Sequence, residues 1–282
     1  MRIMNVDNRL QLVVDDRIVD VETASGGAFP ADVQSIYERW DEFRAWADTA
    51  SPTGGAPMPE QGVGAPVPQP RQIFAIGLNY KDHAQEAGLE LPSSPMVFTK
   101  FPAAVAGPFD TIELPRGSVD FEVELVVVIG RRAHRVAEAD GWNYVAGLTA
   151  GQDLSERDLQ LQPPAPQQYN LAKSFTGFAP IGPSLVTPDE FADPDNVEIG
   201  CLLNGEQMQK AQTGELIFPV PALVAYLSSV LPLLPGDLIF TGTPSGIGWG
   251  RTPQRFLRPG DQLVSYVEGI GTMHHQFTPA AN

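Results

Sequence analysis

The sequence predicts an α+β fold dominated by β-structure. Three observations carry that reading. Short runs rich in Val, Ile, Leu and Phe recur along the chain, each bounded by Gly, Pro, Asn or Asp, as strands bounded by turns are. Only two stretches, 33–46 and 216–231, repeat apolar groups at the three- and four-residue spacing of a helix, so strands outnumber helices. No internal repeat or heptad run is present, which excludes solenoids and coiled coils and leaves strands and helices packed around a common core.

Residues 3–21 alternate apolar and polar around Asp7-Asn8 and Asp15-Asp16, predicting two or three short strands joined by tight turns. Val33, Ile36, Tyr37, Trp40, Phe43 and Trp46 then form an aromatic stripe whose spacing predicts a core-facing helix. Between 51 and 70, Pro and Gly are frequent enough to predict a linker, dividing a small N-terminal strand-and-helix unit (1–50) from a main domain (71–282). Residues 71–80 read as a buried strand breaking at Gly77, and 81–89 as a short helix that places His83 and Glu86 three apart on one face. Taken alone, that pair is an ordinary exposed polar face. Residues 143–153 form a strand of small and apolar residues ending in Asp153, a position that by itself suits a helix cap or turn. Lys173, between a Pro/Gln-rich loop and a turn, reads as a surface lysine. Asn204-Gly205 marks a hairpin, 216–231 a buried helix, and Thr241 to Gly248 a glycine-rich loop whose amides and hydroxyls can meet a carboxylate or phosphate. That loop is neither a phosphate-binding Walker loop nor a nucleophile elbow. A last strand pair flanks Gly260 and Gly269 to Gly271, with His274 and His275 expected at the surface.

The most informative stretch is Val119 to Gly130. On a strand, Asp120, Glu122 and Glu124 share one face while Phe121, Val123 and Leu125 pack beneath, and Val126 to Ile129 are apolar at both parities, as in a strand buried on two sides. An unpaired carboxylate at that border is costly. Either a cation neutralises it or the first half of the strand is open to water, and spacing alone favours the solvated face.

Composition narrows the function classes. A 282-residue chain with 43% hydrophobic and 18% charged residues has the mix of a soluble globular protein. Its formal charge of −16, with no basic stripe, argues against a nucleic-acid partner. Cys201 is the only cysteine and reads as core, so no intramolecular disulfide and no cysteine-ligated zinc site can form. No apolar run suggests a membrane span or signal peptide, and a cytoplasmic location is expected.

Taken together, Gly77-Leu-Asn-Tyr80 with His83 and Glu86, Phe121-Glu-Val-Glu124, Asp153 with Arg157 and Gln160, Lys173, and Thr241-Gly-Thr-Pro-Ser-Gly246 resemble the fumarylacetoacetate hydrolase family, in matching order from about Ile73 to Gly271. The resemblance implies a mixed β-roll or sandwich core, a homodimer, and a divalent cation, Mg2+ or Mn2+, held by Glu122, Glu124 and Asp153. Such all-oxygen ligands suit a hard cation that a 2-oxo acid can chelate. It further implies that Lys173 stabilises a pyruvate enolate, that His83 oriented by Glu86 is the base, and that the 81–89 helix is a mobile lid. Tyr80, Arg157, Gln160, Gly242 and Thr243 would contact the substrate, the planar Arg fork suiting a carboxylate. The Leu171 to Thr176 segment is similar to the acylpyruvate hydrolase branch, so the expected activity is C–C hydrolysis of an acylpyruvate or related diketo acid. Oxaloacetate decarboxylation and isomerisation of a 2-hydroxyhepta-2,4-diene-1,7-dioate-type dienoate are alternatives through the same enolate, and a non-catalytic metal-binding scaffold is a third.

Overall fold

A computed structural model describes residues 1–50, 55–59, 61–86, 88, 90–162 and 167–280. The fold is mixed α+β and β-dominated, as predicted. A 12-stranded sheet runs, in spatial order, Ala56–Pro57, Arg17–Asp20, Arg9–Val14, Arg2–Val6, Ala179–Val186, Val145–Gln152, Val123–Ile129, Leu238–Phe240, Ile73–Gly77 and Met96–Thr99, with Val63–Gly64 and Val105–Ala106 paired off this path. A five-stranded sheet runs Glu206–Gln212, Glu198–Leu203, Gln262–Val267, Gly271–Pro279 and Thr111–Leu114. Among the described residues, no helix is long and apolar enough to cross a membrane.

Strand Val123–Ile129 is the axis of the molecule. It is antiparallel to Val145–Gln152 on one side and Leu238–Phe240 on the other. Its even residues Val126 and Val128 enter an apolar cluster with Tyr37, Trp40 and Phe43, and its odd residues Leu125, Val127 and Ile129 enter a second one with Leu223, Val224 and Leu227. Apolar character at both parities therefore does report burial on two faces. The stripe predicted as one helix divides into a 3-10 turn, Gln34–Arg39, and an α-helix, Trp40–Thr49. The helix predicted at 216–231 is Val220–Val230.

Turn chemistry behaves as expected: Asp7, Asn8, Asp15, Asp16, Asn204 and Gly205 all take positive φ, the backbone that two-residue hairpin turns require. Residues 1–50, expected to form a unit of their own, are hydrogen-bonded into the large sheet through Arg2↔Val186 and Ile3↔Leu185. Of the expected linker, residues 51–54 and 60 lie outside the described residues, while Ala65 and Val67 are buried in the same cluster as Val126. The 81–89 helix is seen as Lys81–Glu86, with 87 and 89 outside the described residues. His274 is exposed as predicted, but His275 is 1% exposed, because alternate residues of Gly271–Pro279 face inward.

Candidate active site

The ladder of the axial strand breaks at Phe121 and Glu122, and Val119–Asp120 pairs instead with Ser155–Glu156. Two glutamine side chains fill the gap. The Glu122 N–H donates to Gln152 Oε1 at 2.8 Å and the Val123 N–H to Gln209 Oε1 at 3.0 Å. The Asp153 N–H donates to the Glu122 carbonyl, which brings the end of strand Val145–Gln152 against the acids. Glu122, Glu124 and Asp153 consequently offer carboxylate oxygens that all lie within 4.8 Å of one another, all three residues being buried. The solvated face that spacing alone favours is not the one adopted. Asp120, Glu122 and Glu124 are 0%, 6% and 1% exposed.

Cations surround two of the three. Lys173, predicted from its context to be a surface lysine, is 2% exposed, and its Nζ donates to Glu122 Oε2 at 2.8 Å, Asp153 Oδ2 at 2.7 Å and Ser155 Oγ at 2.7 Å. Burial opposes its charge, but Asp153 and Glu122 more than restore it and raise its pKa. Burial likewise works against the Glu122 carboxylate, yet Lys173 and Arg157 hold it well below the ordinary range. Glu124 is the exception. Burial, followed by the charges of Asp153 and Glu122, pushes it well above that range, and its carboxylate meets the Gly242 N–H at 2.7 Å. A buried triad of hard oxygen donors, one of them short of positive charge, fits a divalent cation.

The other expected site residues fall into two groups. His83, Glu86, Glu122, Glu124, Arg157, Gln160, Lys173 and Thr243 line one cavity of about 330 Å3. His83 Nδ1 lies 3.2 Å from Glu86 Oε2, leaving Nε2 for the cavity. Tyr80 and Gly242 do not line it. Tyr80 is 1% exposed and packs with Phe74 and Ile76, its hydroxyl without a hydrogen-bond partner among the described residues. Gly242 acts through its backbone: φ is +103°, and a Cβ there would stand 2.7 Å from that of Asn79, so only glycine brings its amide to Glu124.

Arg157 is not the open fork its residue type suggested. Nε and Nη2 donate to Asp120 Oδ2 at 2.9 and 2.8 Å, Nη2 also to Glu122 Oε1 at 2.6 Å, and Nη1 to Gln160 Oε1 at 2.8 Å. Among the described residues, these bonds take four of its five N–H donors. The Thr243 hydroxyl is similarly engaged, donating to the Val123 carbonyl and accepting from Gln209 Nε2.

Sequence reasoning missed Lys100. It is 1% exposed and its ammonium bonds Asp153 Oδ1, so Asp153 is held by a lysine on each oxygen. Its place directly after strand Met96–Thr99, between Phe98 and Phe101, was the only available signal, and a weak one. Also missed were the apolar walls, Leu78, Met96, Phe98, Tyr169, Ile247 and Trp249.

Residues 72–278 match the family model of the fumarylacetoacetate (FAA) hydrolase C-terminal domain. The chain is 42% identical over 211 residues to the mitochondrial oxaloacetate tautomerase Fahd2a of Rattus norvegicus, covering 74% of this chain and 67% of that one. Among solved structures it is similar to a protein assigned as HpcE from Mycobacterium smegmatis, at 54% identity and a TM-score of 0.94 over 100% of both chains. It is also similar to the maleylpyruvate hydrolase of Sphingobium sp. SYK-6 in complex with manganese (II) ion and pyruvate, at 27% identity and a TM-score of 0.83, again over 100% of both.

Proposed function

Because the chain belongs to the fumarylacetoacetate hydrolase family, whose model spans residues 72–278, we propose that it is a divalent-metal-dependent enzyme that moves protons at C3 of a small 2-oxo acid, interconverting keto and enol forms of an acid such as oxaloacetate. The observation that carries this reading is the buried cluster of Glu122, Glu124 and Asp153, of which Glu122 and Glu124 line the same cavity as His83 while Asp153 lies behind them. The tautomerase relatives add weight to the choice of substrate. A dication on the triad, Mg2+ or Mn2+, supplies Lewis-acid polarisation of the keto oxygen.

The chain's own residues do the rest. Glu86 holds His83 Nδ1, so Nε2 takes the proton from C3 and returns it to the enol oxygen or the reverse, breaking C–H as O–H forms. Lys173 lends positive charge where negative charge gathers on the keto oxygen. All three of its N–H bonds are taken, so a direct hydrogen bond requires its Ser155 contact to yield. The walls exclude water from the proton in transit.

A second reading, hydrolysis of an acylpyruvate, is favoured by the apolar walls Leu78, Met96, Phe98 and Tyr169, which suit an uncharged acyl group. There His83 would take the proton of a water adding to the acyl carbonyl. The C3–C4 bond would break, its electron pair would form the pyruvate enolate, and C3 would be protonated on release. A homodimer is retained in this proposal, to be read from sedimentation velocity.

The test is to load the protein with Mn2+ and follow the enol absorbance of oxaloacetate and, separately, the loss of acetylpyruvate. Faster enol decay without pyruvate supports the first reading, and conversion of acetylpyruvate to acetate and pyruvate the second. Inert mixtures with both substrates would overturn both, as would full activity after exhaustive chelation.

A further inference from the structure

Asp120 is wholly buried and is not one of the three clustered acids, yet its carboxylate collects more hydrogen bonds than any of them. Two of its bonds, to Arg157 Nε and Nη2, face the acid triad, because the same Nη2 continues to Glu122. Two more face the other way. Asp120 Oδ1 accepts the Gly248 N–H at 2.7 Å and Oδ2 the Trp249 N–H at 3.0 Å. Two residues earlier the same loop donates its Gly246 N–H to Glu86 Oε1 at 3.0 Å. The loop thus spans two carboxylates, one from the core and one from the short helix that carries His83.

Its glycines make that span possible. A Cβ on Gly250 would lie 2.6 Å from Glu86 Cδ, so the bare backbone there is the seat of the Glu86 carboxylate. A loop so rich in glycine has much conformational entropy to lose; Arg251, Gln254 and the Arg255 N–H hold its carbonyls, and Asp120 and Glu86 accept its amides on the side that faces the site. The helix it seats, Lys81–Glu86, has six residues and is marginal by itself. Helical spacing alone therefore does not fix where Glu86 points.

We propose that Asp120 is a positioning residue for the proton-moving pair: it pins the 246–250 loop, the loop seats Glu86, and Glu86 aims His83 at a centre whose acids Asp120 also steadies through Arg157. The bland alternative is that Asp120 only neutralises Arg157. The proposal rests on the reading of His83 as the residue that moves the proton, so its test includes a measurement that does not depend on turnover.

Two variants of the full chain separate the ideas. Asp120→Asn removes one acceptor oxygen, and Gly250→Ala crowds the Glu86 seat while leaving every buried charge in place. By hydrogen exchange read by mass spectrometry, Asp120→Asn is expected to exchange at least about tenfold faster both in the 245–250 segment and in 81–86, and Gly250→Ala faster in 81–86. In turnover of oxaloacetate, Gly250→Ala is expected to lower kcat at least about tenfold while KM and Mn2+ affinity by calorimetry stay within about twofold. Exchange unchanged at 81–86 in a folded Asp120→Asn overturns the proposal, and so does wild-type kcat in Gly250→Ala. Weaker Mn2+ binding in Asp120→Asn with unaltered exchange leaves Asp120 a counter-ion for Arg157. Should Asp120→Asn not fold, Gly250→Ala decides alone. If the wild-type protein turns over neither substrate, the functional reading fails while the exchange arms still judge the positioning.

Discussion

Single side chains divide the site into groups that hold charge and groups that move it. Among the described residues, Glu124 is the acid with no cationic hydrogen-bond partner, set against the Gly242 amide, whereas Glu122 and Asp153 each touch Lys173. Removing its charge should therefore affect the cation above all. Glu124→Gln is expected to weaken Mn2+ binding at least about 100-fold in calorimetry, beyond the loss usual for outer-shell groups, and an unchanged isotherm would remove Glu124 from the ligand set. His83 lies outside the cluster, paired with Glu86. His83→Ala is expected to lower kcat by about 10²–10⁴ while leaving that isotherm as it is, the difference expected between a proton carrier and a ligand. Residue type was a poor guide to the surroundings of Arg157. A guanidinium is read from sequence as an open fork, but which oxygens fill the fork is settled by tertiary contacts, here Asp120, Glu122 and Gln160.

At the scale of elements, strands were legible wherever side-chain alternation met a buried face, and obscure wherever a backbone break redirected them. The turns at Asp7-Asn8 and Asn204-Gly205 announce themselves because few residue types accept positive φ. The interruption at Phe121 and Glu122 does not, since it depends on Gln152 and Gln209 reaching in from 30 and 86 residues away. Strand Gly271–Pro279 shows the same limit: alternation turns His275 inward although it sits near the end of the chain. Its Nε2 is 3.1 Å from the Gly107 carbonyl, its Nδ1 has no partner among the described residues, and burial lowers its pKa to about 4, outweighing that hydrogen bond and nearby Asp110. The unfolded chain therefore takes up a proton near pH 6.5 that the native strand refuses until about pH 4. Stability is lost as pH falls through that window, by about 3 kcal/mol in all at about 1.4 kcal/mol per pKa unit. Urea unfolding of the wild type and of His275→Phe at pH 7, 5.5 and 4.5 isolates the effect. The wild type should lose more stability than the variant as the pH drops, and parallel losses would mean that the imidazole charges in the native state as well.

For the molecule as a whole, the open question is whether the first 50 residues are an appendage or part of the frame behind the site. Composition pointed to an appendage, because a Pro- and Gly-rich stretch looks the same whether it separates two units or laces one together. The contacts point to the frame. Phe43, on helix Trp40–Thr49, shares a core with Val126 and Phe240, which belong to the strands on either side of the ladder pair Val126↔Phe240. Arg2–Val6 pairs with Ala179–Val186, which in turn pairs with the strand that ends beside Asp153. A core packed this way transmits loss of one side chain to every strand around it. Phe43→Ala should cost about 3–5 kcal/mol. If residues 1–50 are part of the frame, that cost appears as one shifted urea transition, with fluorescence from Trp40 and Trp46 and far-ultraviolet circular dichroism moving together, and Mn2+ binding lost at the same urea concentration. If they are an appendage, the Trp40 and Trp46 signal, isolated in a Trp142→Phe, Trp249→Phe background, melts early while the sheet and its metal affinity persist, and deletion of 1–50 leaves a folded, metal-binding remainder. The exposed apolar faces of Val126, Val128 and Phe240 in such a remainder argue for the first outcome, since bare core surface on that scale favours aggregation over folding.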